Sequence, residues 1–353
     1  MKANSKNDWE EVLQLFQKSE IEKRRSGEGI TLKKLMLLKA LKFVFLIIVF
    51  FTSCGPNPPA VPVVEDQSEA KVSTPEFSAD SAFYFIKKQV DFGPRIPNTK
   101  AHDACAEYLI QYFEKLGLKV HQQKGSVKAY DGKTLNFNNI TAQYQPEKTN
   151  RVLISAHWDT RPWADQDERD PQGSFDGAND GASGIGVMME LARILSTRQI
   201  NVGVDFVLFD VEDYGKPEFE DSYCLGSQYW AKNYPLEVKA FYGINLDMVG
   251  DAAAKFTYEG LSAQSARNVL DKVWRSAHGL GYGDYFSFEE TSGVTDDHAY
   301  VNKYTNIPCI DLIDRSTPGF ARTWHKHDDT VANISPKTLK AVGQTLLYVL
   351  YLE

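Results

Sequence analysis

Acidic and imidazole side chains recur in this chain where short apolar runs end. His157-Trp158-Asp159 follows the run at 151–156. The loop Asp176-Gly177-Ala178-Asn179-Asp180-Gly181 enters a helix-like segment. Asp210-Val211-Glu212-Asp213 follows the run at 204–209, and Asp247 follows the run at 240–246. Asp296-Asp297-His298 and Trp324-His325 come later. Each piece alone has an ordinary explanation: a hydrogen-bonded His, a helix cap at Asp180 or at Asp296 or Asp297, a solvated turn at Glu212-Asp213. Together, His157, Asp180, Glu212, Asp213, Asp247 and His325 would share one rim of an open sheet. So many carboxylates repel one another unless cations or shared protons offset them. Mixed His and carboxylate donors suit Zn²⁺, which takes about four N or O ligands near 2 Å. Asp159, two residues after His157, is placed to orient that imidazole. Glu212 and Asp213 point in alternate directions, so Asp213 can face the metal while Glu212 faces substrate as a general base.

The elements that must carry these groups follow from periodicity. Residues 80–89 and 99–116 have helical spacing, and 118–128 and 136–144 alternate like strands. The runs at 151–156, 204–209, 240–246 and 307–313 are almost continuously apolar, as strands buried on both faces are. Helix-like segments lie between them at 181–196, 222–233 and 262–277, and an amphipathic helix at 335–352 closes the chain. This alternation predicts an α/β fold: a three-layer sandwich with a central mixed, mostly parallel sheet flanked by helices. Such sheets place their site beyond the carboxyl ends of the strands.

The 353 residues are 42% hydrophobic and 24% charged. That composition excludes a disordered, collagen-like or disulfide-scaffold protein. With one apolar run only, a polytopic membrane protein is also excluded. The net charge is −8; 10 basic and 6 acidic residues precede Cys54, leaving 29 against 41 after the first 53 residues. This acidity argues against a nucleic-acid partner and suits an envelope or secreted enzyme acting on neutral or basic small substrates. Residues 43–51 are nine consecutive apolar residues behind Lys39 and Lys42 and ahead of Thr52-Ser53-Cys54. Spanning a bilayer needs about 20, so the segment reads as a signal peptide. The Cys after small residues resembles a bacterial lipobox, with cleavage before Cys54 and a lipid attached to it, although Phe51 stands where Leu is usual. A buried core helix or an uncleaved anchor is the alternative. Thirty-five residues precede Met36, which suggests translation from Met36; an amphipathic helix over residues 9–21 is the other reading. The expected organisation is therefore an extension and signal peptide over 1–53, a Pro-rich tether over 54–76, and a catalytic domain over 77–353. The expected location is the bacterial cell envelope, with membrane contact through lipid on Cys54. Cys105, Cys224 and Cys309 have no CxxC spacing and read as buried free thiols. No long apolar edge or heptad stands out, so a monomer is expected.

In order, these motifs resemble the zinc aminopeptidase (M28-like) superfamily, and within it the bacterial and animal glutaminyl cyclases (glutaminyl-peptide cyclotransferases). The likeness spans roughly residues 77–353: His-x-Asp, Asp-Gly-Ala-x-Asp-Gly-Ala-Ser-Gly, an acidic pair after Phe-Asp, Leu-Asp-Met-Val-Gly, Asp-Asp-His, and Trp-His-x-x-Asp-Asp. For a cyclase the resemblance implies one zinc held by Asp180, Asp213 and His325. It implies a proton network of Glu212, Asp247 and Asp296, and peptide or protein substrates with N-terminal Gln. For a di-zinc aminopeptidase it implies His157, Asp180 and Asp247 on one metal, and Asp180, Asp213 and His325 on the other. Two features lean toward the cyclase: Asp296 where peptidases typically have Ser, and Trp324 before the last His as a pocket wall. Ordinary core packing explains Trp324 nearly as well. A binding module that lost catalysis is the remaining reading, disfavoured because Glu212 and the ligands are intact. The chain departs from animal cyclases in having Asp213 for Glu, in lacking a cysteine pair near the His motif, and in the acidic segment 214–223. For the second pocket Trp, Trp163 and Tyr214 are the candidates; His157 is also expected at the substrate site.

Overall fold

The computed structural model describes residues 72–316 and 319–353. The signal peptide, Cys54, the alternative start at Met36, the helix over residues 9–21 and the tether as far as residue 71 lie outside the described residues. Two helices come first, α1 (Ala79–Val90) and α2 (Lys100–Lys115), followed by strands β1 (Lys119–Lys128), β2 (Thr134–Tyr144) and β3 (Arg151–His157). Helices and strands then alternate: α3 (Ala182–Leu195), β4 (Gly203–Phe209), α4 (Leu225–Lys232), β5 (Tyr242–Asp247). The last part comprises β6 (Phe256–Tyr258), α5 (Gly260–Gly279), β7 (Phe286–Glu290), α6 (Asp297–Thr305), β8 (Cys309–Ile313) and α7 (Pro336–Leu352).

Six strands form one sheet in the order β1-β2-β4-β3-β5-β8. β1 and β2 pair antiparallel, as do β2 and β4, whereas β4, β3, β5 and β8 run parallel. All seven residues of β3 and of β4 are buried, which is why their sequences lack alternation. One layer holds α1, α2, α3, α5 and α7, with Leu109, Phe113, Ile185 and Leu346 in the main core. The opposite layer holds α4 and α6, where Trp230 and Val301 cover Leu153, Val207 and Phe209 of the sheet. In α3 every residue except Arg193 is buried, as befits a helix pressed between the sheet and α1 and α7. The fold is thus the three-layer α/β sandwich with a mixed, mostly parallel sheet that the apolar pattern predicts.

Some elements escape that pattern. β6 and β7 form a separate parallel pair, and α6 is a helix that periodicity does not announce. Helix α5 is kinked at Ala266 (φ −149°, ψ 44°). Ahead of α1, Phe77 is 1% exposed and its ring occupies the space a side chain on Gly343 of α7 would need. Gln344 ties down the residues just ahead, accepting from the Phe77 N–H and donating to the Pro75 carbonyl.

The parallel register aligns the functional strand ends. His157 is opposite Phe209, and Asp247 is opposite Ile313. At the other end of the sheet Arg151 and Asp205 form a fully buried pair at 2.7 Å. The Arg151 guanidinium also donates to the carbonyls of Gln145, Lys148, Tyr144 and Val204. Removing one partner of such a pair costs about 3–5 kcal/mol, because the other charge is left buried alone.

Candidate metal centre and active-site cleft

The carboxyl ends of β3, β4 and β5 and the loops ahead of α3 and after β8 bring His157, Asp180, Asp213, Asp247 and His325 together. His157 Nε2 lies 3.0 Å from Asp180 Oδ1 and 3.4 Å from Asp247 Oδ1. His325 Nε2 lies 3.2 Å from Asp213 Oδ1 and 3.7 Å from Asp180 Oδ2. Asp180 therefore turns one oxygen to each imidazole. In each triad, His157–Asp180–Asp247 and Asp180–Asp213–His325, the donor atoms lie within 4.8 Å of one another.

The local chain is shaped for this convergence. Gly181 has φ +95°, and a Cβ there would meet the Asp159 carbonyl at 2.3 Å, so only glycine lets the Asp180 loop pass under the end of β3. Gly181, not Asp180, is the residue ahead of α3. The Asp180 amide instead donates to Asp329, as does that of Asn179, which frees the Asp180 carboxylate. Val211, Met248 and His325 have left-handed backbones (φ +54°, +50° and +54°). Such conformations cost about 1–3 kcal/mol each and persist where the surroundings over-determine them.

The donor set fits a divalent N/O-ligated cation such as zinc. Among the described residues, His157 Nε2, Asp213 Oδ2 and Asp247 Oδ1 are buried without a hydrogen-bond partner, an expensive state unless something positive meets them. The imidazoles report the same demand. Burial alone would lower both, yet the carboxylates around His157, Asp159, Asp180 and Asp247, raise it well above the ordinary value. Asp213 and Asp165 outweigh burial at His325 and raise it to about 9. A place that binds protons this tightly is one built for positive charge.

A cleft of about 570 Å³ opens beside the cluster, lined by Glu212, Asp213, Asp247, Asp296, Trp324 and His325 among others. Burial, then the charge of Asp213, pushes the Glu212 carboxyl well above its usual range. Burial pushes Asp247 up to about 7. Asp296 caps α6 by accepting from the Asp297 amide at 2.6 Å, and its other oxygen accepts from Asn245 at 2.8 Å. The capping explanation is thus correct for Asp296 and does not displace its position in the cleft. Trp324 stacks on His325 with ring centroids 4.0 Å apart.

Other expected residues stand elsewhere. His157 is 2% exposed and belongs to the cluster rather than to the residues that line the cleft. Trp163 and Tyr214 do not line the cleft either: Trp163 packs on Tyr214 at 5.0 Å and under Arg161. The aromatic groups from that region that do line it are Phe219 and Tyr223. Asp159 lies 3.5 Å from His157 Nδ1, but its hydrogen bonds are accepted from the amides of Glu212 (3.0 Å) and Asp213 (3.3 Å). It positions the acidic pair more than the imidazole.

Sequence reasoning missed Asp165 and Arg161. Asp165 Oδ1 lies 3.1 Å from His325 Nδ1, and Arg161 donates to both Asp165 oxygens (3.0 and 2.6 Å) and to the Asp213 carbonyl (3.0 Å). The sequence carries no signal for them: residues 161–165 are not helical, so the i, i+4 spacing of Arg161 and Asp165 predicts no contact. The cysteines Cys105, Cys224 and Cys309 are free and buried.

Residues 139–350 match Peptidase family M28, and the chain belongs to that family. It aligns with the glutaminyl cyclase of Bacteroides thetaiotaomicron, solved bound to N-acetylhistamine, at 45% identity and a TM-score of 0.78, covering 80% of this chain and 100% of that one. The Tannerella forsythia glutaminyl cyclase aligns at 47% identity and a TM-score of 0.76 over 79% and 100%. A Zn-dependent exopeptidase from Parabacteroides distasonis aligns at 45% and a TM-score of 0.77 over 80% and 100%. Among curated relatives the match is partial: the chain spans 49% of the length of aminopeptidase YwaD of Bacillus subtilis, at 27% identity over 67% of its own.

Proposed function

We propose that this protein is a glutaminyl-peptide cyclotransferase, converting the N-terminal Gln of peptides or proteins to pyroglutamate with release of ammonia. One observation carries the reading: Asp296 faces the same cleft as Glu212, with oxygens of the two within 4.8 Å. A second acid beside the base can hold an amine and the departing nitrogen. The likeness to two bacterial glutaminyl cyclases over their whole length supports it.

Asp180, Asp213 and His325 would hold one zinc, and bound there it supplies Lewis-acid polarisation of the substrate's γ-carboxamide carbonyl. The chain's own residues do the rest. Glu212, whose carboxyl holds a proton readily, takes one from the α-amine as its nitrogen bonds to the side-chain carboxamide carbon. It delivers that proton to the amide nitrogen as the C–N bond breaks, so ammonia leaves neutral and Glu212 is regenerated. Asp296 and Asp247 hold the nitrogen groups through shared protons. Trp324 gives the Gln side chain an apolar wall and keeps water from competing for the carboxamide carbon.

The intact His157–Asp180–Asp247 triad favours a second reading, a di-zinc aminopeptidase hydrolysing N-terminal residues, as does the exopeptidase relative. A Gln-initiated peptide and an aminoacyl-anilide assayed side by side separate the two. Ammonia release with the matching mass loss selects the cyclase; anilide cleavage alone rejects it. Metal analysis is expected to find one zinc per chain for the cyclase, and two for the peptidase. Attachment to the bacterial envelope by lipid on Cys54, and a monomeric state, belong to the same proposal. Mass analysis of the native N-terminal peptide and of the intact particle tests them.

A further inference from the structure

Three buried thiols occur in the described domain, and two have ordinary surroundings. Cys105 lies in the main apolar core, and Cys309 lies in the second core cluster, its Sγ 3.6 Å from the carbonyl of Ile310. Cys224 differs. Its side chain is fully buried, yet Sγ lies 3.2 Å from Glu212 Oε1 and 3.9 Å from Asp296 Oδ1. A buried cysteine usually acts as a small apolar filler; this one sits between two carboxylates.

The backbone holds it there. Cys224 precedes α4 with φ +58°, in the left-handed region. Its N–H donates to the Glu212 carbonyl at 2.8 Å, and the next amide, of Leu225, donates to the Val211 carbonyl at 3.0 Å. Gly226 presses so closely on the end of β4 that a Cβ there would lie 1.9 Å from the Asp210 carbonyl. The start of α4 is thereby fastened to residues 210–212. A residue just ahead of a helix ordinarily turns its side chain to the helix's free amides; Cys224 makes no such bond, and its thiol points to Glu212 instead.

We propose that Cys224 is a positioning residue for the general base: its thiol donates a hydrogen bond to Glu212 Oε1, fixing the carboxylate so that Oε2 takes the substrate's proton. Burial, with the charge of Glu212 next, raises the thiol well above its ordinary value, so it remains a neutral donor. A hydroxyl can give the same bond; a methyl cannot. The inference rests on Glu212 being the base, as it is in both readings of the site.

The test compares Cys224→Ala and Cys224→Ser in the full zinc-loaded protein. Ala is expected to lower kcat about tenfold, the value of one hydrogen bond to a charged group, with KM changed less than about twofold. Ser is expected to recover activity to within about threefold of wild type, with zinc content and melting temperature unchanged. An infrared difference spectrum gives a readout apart from turnover. The S–H stretch assigned by loss in Cys224→Ser should move to higher frequency in Glu212→Gln, where a weaker acceptor replaces the carboxylate. Unchanged kcat in the Ala variant, failure of Ser to rescue, or an S–H band indifferent to Glu212→Gln overturns the proposal. Should Cys224→Ala not fold, the Ser variant and the band still decide. If the wild type releases no ammonia from Gln peptides but cleaves anilides, the cyclase reading falls, and the same variants are read on the anilide.

Discussion

His325 is held from behind by Asp165: the carboxylate lies 3.1 Å from Nδ1, while Nε2 faces Asp213 and Asp180. Asp165 is itself locked by two charged hydrogen bonds from Arg161. These partners, after His325, hold Asp165 far below the usual carboxylate range against the opposing effect of its burial. Such a partner fixes the tautomer and ring plane of a ligand. Asp165→Asn is therefore expected to weaken zinc binding by about 10- to 100-fold, measured by competition with a chromophoric chelator. An unchanged dissociation constant would remove Asp165 from the centre's support.

Trp324 offers a second check. Its ring covers His325 and leans on Phe320 at 4.7 Å, and it lines the cleft. If the ring is the wall against which the glutaminyl side chain lies, Trp324→Ala loses about 1.5–3 kcal/mol of apolar contact. That corresponds to a fall in kcat/KM of about 10- to 150-fold, with zinc content retained. A variant with normal kinetics and a lower melting temperature would make Trp324 a packing residue only.

The parts of this site that were legible in sequence are those that stand at strand ends. Runs such as Val-Leu-Ile-Ser-Ala ahead of His157 announce buried parallel strands, and the residue after each run then has a forced location. His157 and Asp247 end such strands and Asp213 follows one closely, whereas Asp180 and His325 reach the same cluster from loops. What was hidden depends on loops. Residues 165–170, Asp-Gln-Asp-Glu-Arg-Asp, have the composition of a solvated surface turn, so nothing marks Asp165 as the partner of His325 across 160 residues. Trp163 failed as a cleft residue because its loop turns the ring onto Tyr214 and Arg161. The strands β6 and β7 are three and five residues long, too short to impose a period. Asp159 lies beside His157 but bonds to amides 53 and 54 residues along the sequence, a choice that only the β3–β4 register fixes.

The mouth of the cleft is acidic on one side. Glu220 and Asp221 line it and are exposed, with Arg315 also on its lining. Peptides carrying Lys after the N-terminal Gln should be preferred to those carrying Glu. Because these charges are solvated, the effect is bounded at about 1 kcal/mol per pair, or about fivefold in kcat/KM. The preference should shrink with added salt and in Glu220→Gln. Equal turnover of both peptides at low ionic strength would show that the rim does not read charge.

Stability at low pH should depend on a carboxylate outside the metal cluster. Glu259 accepts hydrogen bonds from the amides of Leu261, Ser262 and Val294 and from the Ser262 hydroxyl, and lies 3.2 Å from His298 Nε2. Burial pushes its carboxyl up, but His298, Ser262 and the Leu261 amide more than reverse this and bring it down from 4.5 to about 2. A carboxyl depressed by folding stabilises the native state fully above its unfolded value, and this contribution is lost as pH falls toward the folded value. Glu259→Gln should therefore cost about 1–3 kcal/mol at neutral pH, and the gap from wild type should narrow as pH drops below about 4.5. Urea unfolding of the chelator-treated proteins, taken stepwise from pH 7 to the acid limit of folding, isolates this effect from metal loss. A gap that stays constant with pH would mean that Glu259 acts through shape alone and not through its charge.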